Sequence, residues 1–323
     1  MVSASQSHTS RPMRFGLTTA LPRGREFGDF AVSVEAAGFD VMTFADHLVP
    51  TLSPFVGATA AAMATTTLHT GTLVLNNDFH HPVDVAREAA TLAAVSGGRF
   101  ELGLGAGHMR SEYDAAGLPF DGGGIRVARL QESVTVIRSL LDGEAVDVDG
   151  THYRVHAPGG ALVAAPPTRV PILIGGNGTR VLALAGRIAD IAGLAGITHN
   201  HDATRVRLTH FDPVGVEDRI AVVREAAGSR FDTIELNALI QFVVPTDNPA
   251  AAAAELAATV DGTTPELLLE SPFVLIGTHE QMAQALVDRQ RRFGISYWTV
   301  FDELPGRASA LPDLAKVIAL LRN

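Results

Sequence analysis

The sequence predicts an α/β fold, a (β/α)8 TIM barrel with insertions after strands 2, 4 and 6. Three observations predict it. Eight short apolar runs of strand character recur along the 323 residues, and helical patterns separate most of them. Two of those runs, far apart in sequence, stop at glycine turns, which suggests one ligand held at the C-terminal end of a parallel barrel. A doubly wound open sheet is the alternative, but it would carry a glycine fingerprint after its first strand. Around Thr18–Glu26 there are only the scattered Gly24 and Gly28.

The elements follow in order. Arg14–Thr18 is the first strand, and Phe27–Ala37 has helical spacing with Gly38 as its C-cap. Val41–Ala45 is the second strand. Ala58–Thr67 is a helix of small residues, and Gly71–Leu75 is the third strand. Val83–Ser96 is a helix stopped by Gly97-Gly98, and Phe100–Leu104 is the fourth strand. Ile172–Ile174 and Asp190–Leu194 are the fifth and sixth, Ile234–Val244 is a long seventh, and Tyr297–Phe301 is the eighth. Helices are expected at Thr179–Ile188, His279–Phe293 and Leu311–Leu321. A barrel of this kind needs roughly 250 residues. The excess falls at Leu48–Gly57, His108–Pro167 and Gly196–Gly215, and Ala145–Val155 reads as a hairpin turning at Asp149-Gly150. Residues 1–11 read as a disordered leader and 12–323 as a single domain.

Composition narrows the function. Charged residues make up 19% and the net charge is −10, which argues against nucleic acid or an anionic membrane as partner. There are no cysteines, so disulfides, thiolate metal sites and cysteine nucleophiles are excluded. Lys316 is the only lysine and a poor Schiff-base candidate. No GxSxG elbow supports Ser-His-Asp catalysis. No metal is expected: His80-His81 are adjacent and rarely face one ion, and His199 and His201 lack a carboxylate cluster. No signal peptide or membrane-spanning run is seen, so a cytoplasmic protein acting on a small molecule is expected.

The candidate chemistry lies at strand ends. In Arg169–Arg180, RVPILIGGNGTR, an apolar strand meets Gly175-Gly176-Asn177-Gly178 and a helix begins at Thr179. Backbone N–H groups and the helix dipole there suit a phosphate. The plain alternative is a tight turn that binds nothing. Gly105-Ala106-Gly107 ends the fourth strand, with His108, Arg110 and Glu112 following. Asp46-His47 follows the second strand, where a histidine is placed for proton transfer. Asn76 and Asn77 follow the third, as ligands for a ring or as an Asx-turn.

Together the segments 36–47, 69–107, 112–120, 129–153, 171–190 and 276–303 resemble the luciferase-like monooxygenase superfamily, in particular its branch using the deazaflavin F420. The resemblance implies an F420 or FMN ring at the barrel mouth, with its phosphate near Gly175–Thr179. It implies contacts to the cofactor from the Gly105-Ala106-Gly107 loop, and Asp46 and Asn76, at the ends of the second and third strands, are read as further cofactor contacts. It also implies a non-proline cis peptide at Leu73-Val74, forming a bulge behind the ring. The Asp46-His47 pair matches a family pair whose histidine lines the active site. Some F420 members place an acidic glutamate after the glycine loop, where this chain has His108. The expected function is hydride transfer between F420 and a small organic substrate, with His47 or His108 moving the proton and Arg110, Arg126 and Arg129 as a basic patch for the acidic tail. An FMN-dependent monooxygenase using reduced flavin and oxygen is the runner-up, and a non-catalytic flavin-binding protein is the third reading. A homodimer is the expected assembly.

Overall fold

The computed structural model describes residues 11–20, 24–199, 206–302 and 308–322. Eight parallel strands close a barrel. They are β1 (Arg14–Thr19), β2 (Val41–Phe44), β3 (His69–Thr72, resumed at Leu75–Asn76), β4 (Phe100–Gly105), β5 (Ile172–Gly176), β6 (Ile191–Leu194), β7 (Glu235–Ile240) and β8 (Ile295–Phe301). Each pairs with the next, and β8 returns to β1 with Thr299 opposite Gly16, so no edge is left open. Helices α1 (Phe27–Ala36), α2 (Pro54–Ala64), α3 (Pro82–Val95), α4 (Arg110–Ala116), α5 (Gly123–Leu141), α6 (Thr179–Ile188), α7 (Pro213–Ala227), α8 (Pro249–Ala257), α9 (Pro265–Glu270), α10 (His279–Phe293) and α11 (Leu311–Arg322) follow in chain order.

The strands read as continuous apolar runs because both faces are covered. β2, VMTF, is buried at every residue. One apolar cluster fills the space between sheet and helices. A second joins Val41, Leu173, Ile191 and Tyr297, with Leu73 and Val74 packed on it. Strands β2 and β6 are not neighbours, so that cluster spans the barrel interior. Local signals set several helix ends: Gly38 after α1 has φ +86°, and Thr278 and Gln281 form a capping box at α10.

The structure departs from the sequence reading at helix α2 and at the seventh strand. Helix α2 begins at Pro54, not Ala58, because proline is preorganised for the first helical position. It ends at Ala64, not Thr67: the amides of Thr66, Thr67 and Leu68 donate to Glu35 Oε1 rather than continuing the helix. The long seventh strand stops at Ile240, since Gln241 donates its amide to Phe273 O at 2.8 Å and turns the chain out of the barrel. Phe242–Pro245 then pairs with Val274–Gly277, with α8 and α9 between them. This is a further insertion, after β7, that apolar patterning could not signal. The expected hairpin is present as Val146–Asp149 against Arg154–Ala157. The insertion after β6 contains the pair Ile197–His199 and Val206–Leu208, and its residues 200–205 lie outside the described residues, as does the expected leader up to residue 10.

Candidate active site

The C-terminal ends of β2 and β3 are tied together by one carboxylate. Oδ2 of Asp46 accepts the Asn76 amide at 3.0 Å and lies 2.7 Å from His80 Nε2. His47, next in the chain, turns elsewhere. Its Nδ1 lies 2.9 Å from Glu112 Oε1, an oxygen that also accepts the Leu48 amide at 3.1 Å. The His47 side chain is 28% exposed and that of Glu112 4%, so the imidazole reaches solvent while its carboxylate does not. The exposed His108 ring stands perpendicular to that of His47, with centroids 5.5 Å apart. The two histidines proposed from β2 and β4 are thus in contact. Glu112, which the sequence reading did not name as functional, is the carboxylate between α4 and the end of β2. Its partner His47 lies 65 positions away, so no local signal pointed to it.

The Leu73-Val74 peptide is cis, at the position the resemblance implies. It interrupts β3, and Leu73 and Val74 bulge onto the interior cluster. Val74 explains two of the glycines. A Cβ on Gly105 would lie 2.6 Å from a Val74 methyl, and one on Gly175 3.1 Å from the other. Those glycines give clearance to the bulge. Gly107, at φ +71°, has a similar reason: a Cβ there would meet the Tyr113 hydroxyl at 2.0 Å. Behind the loop, Tyr113 Oη contacts Asn76 Oδ1 at 3.0 Å and Asp78 Oδ2 at 3.1 Å. Burial, then the Asp78 charge, pushes the Tyr113 phenol well above its ordinary value, so it stays a donor. Arg126 donates to the carbonyl oxygens of Ala106 and Gly107 and stacks 4.1 Å from the Phe120 ring. Arg129 pairs with Asp78 and Asp121. Of the three arginines expected to form a basic patch, Arg126 therefore supports the loop and Arg129 is paired with two carboxylates. Arg110 remains at the surface, 3.6 Å from Asp114.

The turn after β5 divides into closed and open parts. Gly176 faces Val181, whose methyl would lie 2.5 Å from an added Cβ. Asn177 is 6% exposed, and its amide donates to Thr209 O and Oγ1 at 2.9 and 2.7 Å. Gly178 is different. It is exposed, its φ of −76° is ordinary, and a Cβ would meet only Val181 at 4.0 Å. It caps α6, whose first amides have no partner within the helix. Arg219 of α7 adds a cation here, with Nη1 3.1 Å from Thr179 Oγ1. Its Nε is buried without a hydrogen-bond partner among the described residues. Arg219 lies forty positions from Thr179, and no sequence signal links them. Helix dipole and guanidinium together favour an anion at Gly178–Thr179.

A cavity of about 410 Å³ lies to one side, between the ends of β7 and β8, lined by Gln241, Phe301, Asp302 and Asp313 among others. Its walls include none of the strand-end residues above. Among the described residues no group of three or more His, Asp or Glu side chains is placed to hold a metal ion, and no helix is long and apolar enough to cross a membrane. His201 lies outside the described residues.

Residues 3–292 match the family described as luciferase-like monooxygenase. Among curated proteins, the chain is 36% identical over 194 residues to the F420-dependent glucose-6-phosphate dehydrogenase of Microbacterium testaceum, covering 55% of each. It is 38% identical over 178 residues to that of Mycobacterium avium, covering 51% of this chain and 52% of the relative. The matched region thus spans about half the length of these curated relatives. Among solved structures, an F420-dependent secondary alcohol dehydrogenase in complex with an F420-acetone adduct superposes with a TM-score of 0.72 at 19% identity, over 97% of this chain and 100% of the other.

Proposed function

The chain belongs to the luciferase-like monooxygenase family, and from that premise we propose that it is an F420-dependent oxidoreductase moving a hydride between the deazaflavin and a small organic substrate. The F420-dependent relatives support the choice of cofactor. The observation that carries the reading is the pairing, at one barrel end, of an open turn at Gly178, which heads helix α6, with the contacting His47 and His108 at the ends of β2 and β4. The residues present fit such a cofactor. Gly178, Thr179 and Arg219 would take its phosphate. The Leu73-Val74 bulge would back its ring, and Gly105–Gly107, Asp46 and Asn76 would shape the rim.

F420, when bound, supplies a ring carbon that gives or takes a hydride. The protein's part is position and proton control. The bulge fixes one wall, held by the interior cluster. Arg126 and Tyr113 hold the Ala106-Gly107 loop from behind. His47 takes or gives the proton at Nε2, a contribution of about 10²–10⁴-fold for a well-placed group. His108 is its neighbour and rival for that role.

Parallel fluorescence titrations of the purified protein with F420 and with FMN test the reading. The expected result is F420 binding that weakens as salt rises, because the acidic tail is screened, with FMN at least about tenfold weaker. Tight FMN binding without measurable F420 binding decides for a flavin monooxygenase.

A further inference from the structure

We propose that Glu112 is the positioning residue for proton transfer: it fixes His47 with its proton on Nδ1 and so presents the lone pair at Nε2. This rests on the reading of His47 as the proton-handling group. The argument is one of donors and acceptors. Oε1 of Glu112 receives the Leu48 amide, which can only donate, at 3.1 Å. The same oxygen lies 2.9 Å from His47 Nδ1. An ionised carboxylate is acceptor-only, so Nδ1 is the donor and Nε2 is left with the lone pair. Among the described residues Nε2 of His47 has no hydrogen-bond partner, and the side chain is 28% exposed.

Two further features favour a positioning role over simple packing. Glu112 sits in the first turn of α4, at the favourable end of the helix dipole, and is 4% exposed. Its carboxylate is therefore held next to the imidazole without free access of water, so the Nδ1 contact is not exchanged for one to solvent. The second is the contrast with His80, which meets Asp46 through Nε2. The two histidines are held by carboxylates through opposite nitrogens. Only the His47 arrangement leaves Nε2, the atom farther from the backbone, available for proton transfer.

The test reads the tautomer directly. Protein labelled with ¹⁵N in the histidine rings is studied at about pH 8.5, where ordinary imidazoles are neutral, and His47 is assigned by its absence in His47→Asn. The expected wild-type spectrum has a protonated Nδ1 and an unprotonated Nε2. Glu112→Met keeps the length and removes the acceptor, and the proton should move to Nε2. Glu112→Gln, whose amide oxygen can receive the same two donors, should keep it on Nδ1. A wild-type His47 protonated at Nε2, or one whose tautomer is unchanged in folded Glu112→Met, overturns the proposal. If Glu112→Met does not fold, the wild-type spectrum still decides. Failure of the hydride-transfer reading would show as absent F420 binding and would leave these spectra untouched.

Discussion

Oδ2 of Asp46 stands 2.7 Å from Nε2 of His80, and not against its chain neighbour His47. The same oxygen takes the Asn76 amide, so Asp46 locks the end of β2 to the segment following β3. His47 is left to Glu112 of α4. One dipeptide thus reaches into two different elements. The carboxylate braces the wall beside the Leu73-Val74 bulge, and the imidazole faces the opening with His108 at its side.

His47→Asn should keep F420 affinity within a few-fold and reduce turnover by about 10²-fold or more, because the amide cannot carry a proton near pH 7. His108→Asn is the rival test. Steady-state rates with a confirmed substrate separate them. Wild-type rates in both variants would remove both histidines from proton transfer and leave ordered water as the acid.

Gly178→Asp should weaken F420 binding at least tenfold, about 1.4 kcal/mol. The added carboxylate would stand at the α6 N-terminus, in competition with the phosphate. Gly178 is the right position because an added Cβ meets nothing nearer than Val181 at 4.0 Å, and aspartate is a good N-cap. Gly176→Asp would confuse the result, since its Cβ would clash with Val181 at 2.5 Å. Equal affinities in a fluorescence titration, with an unchanged melting temperature, would remove the phosphate from this turn.

The barrel was legible because eight apolar runs and their glycine stops are local signals. The Asp46, His47 and His108 strand-end positions were legible for the same reason. What the sequence could not show was which glycines open onto a ligand and which make room for protein. Gly105 and Gly175 look alike in the chain, yet both yield to Val74, a residue from another strand. Gly178 alone in its turn has clear space. Glu112 and Arg219 were missed because their partners, His47 and Thr179, are brought to them by tertiary packing. The exit of the chain at Gln241 was missed because Ile234–Val244 is apolar throughout except at a few positions that a barrel strand also tolerates.

Acid stability should depend on Glu35. Burial alone would raise its pKa, but hydrogen bonds from Thr67, Leu68 and Thr66 outweigh it and hold the carboxyl at about 2. A depressed folded-state pKa gives stability that is present above the unfolded value, near 4.5, and lost as pH falls toward 2. The difference in unfolding free energy between wild type and Glu35→Gln should therefore be constant from neutrality to about pH 5 and shrink below that. Urea unfolding from pH 7 to pH 3 measures it, and a difference that stays flat over the whole range would show that the Glu35 hydrogen bonds carry no charge-dependent stability.

The last prediction concerns the opposite end of the barrel. Arg14, the first residue of β1, donates to Glu235 through Nε and Nη2 at 3.2 and 2.8 Å and to Glu101 through Nη1. Its guanidinium lies 4.3 Å from the ring of Tyr297, which is 1% exposed. Burial would lower the Arg14 pKa, but Glu101 and Glu235 together hold it above its ordinary value. The arginine thus bridges β1 to β4 and β7, at the strand starts far from His47. Arg14→Met leaves two carboxylates, 5% and 9% exposed, facing each other without a cation. Breaking a buried pair in this way costs about 3–5 kcal/mol. Adding Glu101→Gln and Glu235→Gln should recover most of that loss, since neutral amides need no counter-charge. Urea denaturation of the single and triple variants reads both effects. F420 affinity below the melting temperature should be unchanged in each, because no group at the mouth is touched. A single variant that loses less than about 1 kcal/mol would mean that water reaches the pair freely and that the network adds no more than a surface ion pair.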